Sequence, residues 1–218
     1  MKNIEPPQEI LDCLNNEMNV KIAHFLTKYH SFDHRFKSTI NDLLSRMLID
    51  SLKLTKLDGE VHYYNKGNAE QNDFMQAMFD CFRSFNSCKG LELHKELYEH
   101  INRGGESWFP IVEIASAVDD YSNQSPIITV FRGCFFKEFE SNNYRQSWTS
   151  EFEVAKAFAF THYNIDNENR VVIKVTVNNS DIAWMRSGES EVVLLPSFTP
   201  LSSMIELNYN QYCQSREL

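Results

Sequence analysis

Cysteine is sparse and has no pattern in this chain. The five residues Cys13, Cys81, Cys88, Cys134 and Cys213 are odd in number and widely spaced, and no two form a CxxC pair. A disulfide framework or a zinc site is not expected, and the thiols read as those of a reducing cytoplasm. Long apolar runs are missing too. None approaches the ~20 residues that span a membrane, and the opening stretch MKNIEPPQEILDCLNNEMNV has no apolar signal core, so no membrane association is expected. There is no HExxH, and His94 and His100 stand six apart, off the i, i+4 spacing that brings two ligands together. No metal is expected. No glycine-rich phosphate loop occurs either, since Gly104-Gly105 lacks the pattern that would have to follow. Internal repeats and low-complexity tracts are absent. Basic residues are outnumbered throughout: the net charge is −9, with 13 basic against 19 acidic side chains in residues 1–125 and 8 against 11 in residues 126–218. Such a chain gains no overall electrostatic attraction to nucleic acid, though a local basic patch is compatible with the balance.

What the chain has in quantity is core-forming material. Hydrophobic residues make up 42% of its 218 residues and aromatic residues 13%, including 16 Phe, which excludes a disordered chain. The first half carries apolar stripes at helical spacing. Pro6 and Pro7 suit a helix start. Ile10, Leu11, Leu14 and Met18 follow, then Ile22, Phe25, Leu26 and Tyr29. Ile40, Leu43, Leu44, Met47 and Leu48 form the next stripe, extended by Leu52. Met75, Met78, Phe79 and Phe82 form another, and shorter ones run through Leu93, Leu97, Tyr98 and Ile101 and through Ile111, Ile114, Ala115 and Val118. Gly59, Gly67, Gly90 and Gly104-Gly105 punctuate them, so four to six helices are expected. Near residue 122 the character changes. After the polar segment Tyr121–Pro126 come runs rich in β-branched residues, at 127–131, 171–177, 191–195 and 204–209, which read as strands. One helix interrupts them, capped by Thr149 or Ser150, with Val154, Ala155, Phe158 and Ala159 as its apolar face. The expected fold is α+β: a helical N-terminal region, 1–122, followed by a mixed, mostly antiparallel β-rich core, 123–218.

Three short pieces of the second part hold candidate chemistry. Arg132-Gly133 follows the first strand, offering a planar fork of donors for phosphate and a residue without Cβ beside which a ligand can approach. Ser147-Trp148-Thr149-Ser150 precedes the interrupting helix. Glu189-Ser190-Glu191 opens an apolar strand that Pro196 stops. Residues 189 and 191 point to the same face of a strand. Carboxylates so placed suit acid–base work, and equally two solvated acids on an open edge.

In order and context these pieces resemble the arginine–serine–glutamate class of ADP-ribosyltransferases, which includes bacterial mono-ADP-ribosylating toxins. Arg132 matches the arginine that closes a strand. Ser147 and Thr149 match the first and third positions of a Ser-Thr-Ser motif, with Trp148 in place of the middle threonine. Glu153-Val154-Ala155-Lys156-Ala157-Phe158-Ala159 matches the helix that follows, and Glu189-Ser190-Glu191 with its strand matches the Glu-x-Glu motif. The resemblance covers about residues 126–210. It implies NAD as substrate, with no metal. Arg132, Gly133, Ser147, Trp148 and Thr149 would bind NAD, Arg132 at its phosphates or nicotinamide-side ribose and Ser147 at the nicotinamide half. Glu191 would bond the ribose hydroxyl and stabilise the charge that develops as nicotinamide leaves, and Glu189 would orient or deprotonate the acceptor. That acceptor would be a protein arginine or a nucleic-acid base. The resemblance further implies a bacterial toxin or antiviral effector acting in the cytoplasm, with a neutralising partner such as an antitoxin. Two other functions fit the same residues: an NAD glycohydrolase that uses water as acceptor, and a non-enzymatic helical interaction protein built on a degenerate transferase fold.

Overall fold

In the computed structural model, which describes residues 4–57, 68–101, 111–162, 166–186 and 190–216, the first-half stripes form helices. Pro7 precedes α1 (Gln8–Asp12), and its carbonyl accepts the Ile10 and Leu11 amides at 3.0 and 3.2 Å. A wider π-helical turn, Cys13–Glu17, carries the chain on to α2 (Ile22–Ser31). Helix α3 (His34–Leu57) is interrupted at Asp50, whose backbone is extended (φ −165°, ψ 84°) and whose carboxylate accepts the Lys53 amide at 3.2 Å. Helix α4 (Ala69–Ser87) is capped by the Asn68 side chain on the Gln71 amide, which satisfies one of the orphan donors of its first turn. Helix α5 (Gly90–Ile101) follows. Their inner faces bury Phe25, Tyr29, Ile40, Leu44, Met47, Phe74, Met75, Met78, Phe82 and Leu97 in one cluster. Each such side chain contributes roughly 1.5–3 kcal/mol of transfer free energy. Gly59, Gly67, the Gly104-Gly105 pair and the side chains of Leu52 and Ile101 lie outside what is described.

One expected helix is absent. The stretch 111–118 is irregular, and burial alternates: Val112 and Ile114 are buried while Ala115 is exposed. Val112 instead forms an isolated antiparallel bridge with Val20. The apolar spacing here is compatible with two periods, and long-range backbone partners select the extended one.

The chain divides into two compact units, Met1–Glu113 and Ile114–Leu218. Residues 114–122, grouped with the helices by composition, are tied to the second unit: Ile114 bonds the Gln146 side chain through both its amide and its carbonyl, and the Val118 amide reaches the Ala183 carbonyl at 2.7 Å. The second unit is a six-stranded sheet of β1 (Ile127–Phe135), β2 (Ser147–Thr149), β3 (Arg170–Asn178), β4 (Ile182–Arg186), β5 (Glu191–Leu194) and β6 (Ser202–Asn208). The spatial order is β4-β5-β2-β1-β3-β6, and every pairing described is antiparallel. The fold is therefore α+β, with helices first and the sheet second. The short helices α6 (Phe136–Ser141), α7 (Phe152–Phe160) and α8 (Tyr209–Ser215) accompany the sheet. No helix among the described residues is long and apolar enough to cross a membrane.

The sheet buries both faces. Val130, Cys134, Trp148, Ile173, Val175, Val192 and Leu194 form one cluster, while Val172 and Phe131 pack with Ala155, Ala159 and Phe160 of α7. The buried face of α7 is thus Ala155, Ala159 and Phe160, and Phe158 is 46% exposed, contrary to the face expected from sequence. The reason lies at Gly133. A Cβ there would stand 2.2 Å from the Ala155 carbonyl oxygen and 2.5 Å from the Ala159 nitrogen. The helix backbone lies directly on the strand, which only small residues at i and i+4 allow. The N-cap is Glu151, a residue beyond the expected Thr149 or Ser150, although the Thr149 hydroxyl accepts the Glu151 amide at 3.1 Å.

Candidate active site

Four adjacent strands each place one polar side chain in a connected chain of contacts. Ser147 opens β2 and Glu191 opens β5. In the β2–β5 register Glu191 stands opposite Thr149 and Ser147 opposite Val193, so Ser147 and Glu191 share a face as diagonal neighbours. The Ser147 hydroxyl donates to Glu191 Oε1 at 2.7 Å. On the other side of β5, Arg186 at the end of β4 is the register partner of Glu191, and its Nη1 donates to Glu191 Oε2. From β1, Arg132 Nη1 donates to the Ser147 carbonyl at 2.8 Å. Its Nε and Nη2 face the Glu138 carboxylate of α6 at 3.1 and 3.3 Å. Both ion pairs are largely withdrawn from water, with side-chain exposures of 12% and 14% for Arg132 and Glu138 and of 14% and 13% for Arg186 and Glu191. They are screened less than surface pairs.

The loops beside this chain are joined as well. The Ser190 hydroxyl donates to Glu151, and the Ser150 amide donates to the Ser190 carbonyl at 3.1 Å. Ser190 adopts φ 50°, a left-handed backbone that a non-glycine residue holds only where its surroundings fix it.

The expected site residues thus separate. Ser147 and Glu191 come together side chain to side chain, and Arg132 reaches the Ser147 carbonyl from the other face of β1, that of Val130 and Cys134. Thr149 lies on the face of Ser147 and Glu191, 6% exposed, with its hydroxyl engaged by the Glu151 amide. Trp148 does not line the site. Alternation along β2 turns it to the opposite face, where it is 2% exposed, packs edge-on against Tyr144 and Phe198, and donates its indole N–H to the Arg145 carbonyl at 2.8 Å. Gly133 does not present its backbone to a ligand either, because the α7 backbone fills the space beside it. Glu189 lies outside the described residues. Glu138, Gln146 and Arg186 are neighbours of these residues that sequence reasoning missed. The one signal for Arg186 was a cation closing a short apolar run five residues before Glu191. Among the described residues no three His, Cys, Asp or Glu side chains gather as a metal site. Compared with known families, curated proteins and solved structures, the chain matches none.

Chemically, the arrangement is a fixed, largely buried carboxylate with a hydroxyl donor on one oxygen and a guanidinium on the other. A second guanidinium, backed by its own carboxylate, holds the backbone that carries the hydroxyl. Such a carboxylate is preorganised to face a developing positive charge without reorienting.

Proposed function

We propose that this chain is an NAD-dependent mono-ADP-ribosyltransferase in which Glu191 acts at the reacting ribose. The observation that carries the reading is the 2.7 Å bond from Ser147 Oγ to Glu191 Oε1, which joins two motifs 44 residues apart in sequence. Cleavage of the bond to nicotinamide leaves an oxocarbenium-like centre on the ribose. A held carboxylate stabilises that centre and accepts a hydrogen bond from a ribose hydroxyl, while the acceptor attacks and loses its proton. Arg132 serves the NAD phosphates once a phosphate exchanges with Glu138. Glu189 is assigned to the acceptor, a protein arginine or a nucleic-acid base. The reading includes action in a reducing cytoplasm, which suits five thiols with no disulfide among them, and a neutralising partner of antitoxin type that shields the host cell.

The test is labelled NAD incubated with the chain and a whole-cell lysate. Label should pass to a macromolecule, and Glu191→Gln should lower transfer by ~100–1,000-fold, the usual consequence of losing a preorganised electrostatic group. A Glu191→Gln variant as active as the parent chain would refute the assignment. Protease or nuclease digestion of the labelled product then identifies the acceptor class, and NAD loss without a labelled macromolecule would make water the acceptor.

A further inference from the structure

Arg186 has no place in the motifs that led to Glu191. It closes β4 and stands directly opposite Glu191 in the β4–β5 register. Opposite charges at such a cross-strand position attract, and here the guanidinium reaches Oε2 while Ser147 holds Oε1 from the other neighbouring strand. The carboxylate cannot turn about its last bond without breaking a hydrogen bond on one side or the other, and the Arg186 bond is charge-assisted. Arg186 is itself located. Trp184, two residues earlier and on the same face, lies with its ring centre 5.5 Å from the guanidinium carbon and is 9% exposed.

We propose that Arg186 is a positioning residue for Glu191, fixing the plane and direction of its carboxylate without touching the reacting atoms. The proposal rests on the transferase reading above. In the full chain, Arg186→Gln should lower kcat for NAD turnover by ~100-fold, as small misplacements of reacting groups do. KM for NAD should stay within about threefold, the pattern of a lost contribution to the transition state alone. Arg186→Lys should recover part of the rate. Guanidinium ion, well below denaturing concentrations, should restore turnover to Arg186→Ala in a saturable way.

An unchanged kcat in Arg186→Gln would overturn the proposal. So would a loss that neither lysine nor guanidinium repairs, which would mark structural damage. A raised KM with intact kcat would make Arg186 a direct NAD ligand and overturn it too. Failure of the transferase reading shows separately, as a parent chain that turns over no NAD. A double-mutant cycle of Arg186→Gln and Glu191→Gln in urea unfolding would then still read the coupling of the pair, and coupling without turnover would reduce the pair to a structural one.

Discussion

Arg132 engages all three guanidinium nitrogens inside the protein, with Nε and Nη2 on Glu138 and Nη1 on the Ser147 carbonyl. A phosphate approaching it competes with a carboxylate already in place. Glu138→Gln keeps a hydrogen-bond acceptor there and removes the competing charge. Under the transferase reading, NAD should bind about five- to tenfold more tightly to that variant, roughly 1 kcal/mol, as measured by calorimetry. Weaker binding would instead show that Glu138 serves to aim Arg132. The pairing also shows why some of the site could be read from sequence and some could not. Arg132, Ser147, Thr149 and Glu191 carry motif spacing, which lies along the chain. Glu138 and Arg186 matter because of what stands across from them, and register between strands is not written in either strand alone. Trp148 lies apart from Ser147 and Glu191 for a related reason: strand alternation sends the residue between Ser147 and Thr149 to the other face.

At the scale of elements, the short strand β2 depends on the residue before it. Gln146 is 7% exposed and bridges three segments. Its side-chain amide donates to the Ile114 and Leu194 carbonyls at 2.8 and 2.6 Å, its oxygen accepts the Ile114 amide at 2.9 Å, and its own carbonyl accepts the Leu194 amide at 2.8 Å. Gln146→Ala deprives three buried backbone groups of partners at once. Leaving such groups unsatisfied costs about 1–3 kcal/mol each, offset in part by water entering the gap. A loss of about 2–4 kcal/mol in urea unfolding is expected, with reduced NAD turnover because Ser147 is the next residue. A stable variant with full turnover would show that β2 is held by Trp148 alone. Strands β1, β3 and β5 are legible from their β-branched residues, and β6 from its apolar stretch around Ile205. The three-residue β2 is too short to show a period. β4, Ile182-Ala183-Trp184-Met185-Arg186, has one β-branched residue, and its pairing with β5 stabilises it where propensity does not. The stretch 111–118 failed in the opposite sense, showing helical spacing where the backbone partners are distant.

Alkali should act on the whole molecule through its buried thiols. In the helical unit, burial pushes the Cys13 thiol from its ordinary value of 9.0 up to about 11, with the nearby Glu17 carboxylate adding to the effect. Cys88 is likewise raised to about 11, by burial and then by the Glu96 carboxylate that accepts from its sulfur at 3.1 Å. Burial also raises Cys81 and Tyr29. For an acid whose pKa is higher in the folded state, the unfolded chain releases its proton first. The stability these thiols contribute is therefore fully present below pH 9 and is lost as pH rises toward 11. For Cys13, which is 7% exposed, a rise of this size amounts to ~2–3 kcal/mol by the upper end of that window. The sheet unit is held differently. Its largely buried ion pairs include Arg132–Glu138 and Arg186–Glu191. It also buries a thiol, Cys134, and Tyr209 is shifted up from 10.0 chiefly by its hydrogen bond with Cys213. Urea unfolding followed by far-ultraviolet circular dichroism at pH 8, 9, 10 and 10.5 should show stability falling as pH rises past 9. Cys13→Ala should make that dependence shallower, since it removes one of the groups whose ionisation drives it. An equally steep loss in that variant would place the alkaline sensitivity on other groups. The same burial that makes these thiols sensitive to alkali keeps them as neutral SH near pH 7.5, so iodoacetamide should modify Cys13 and Cys81 only as fast as the helical unit opens.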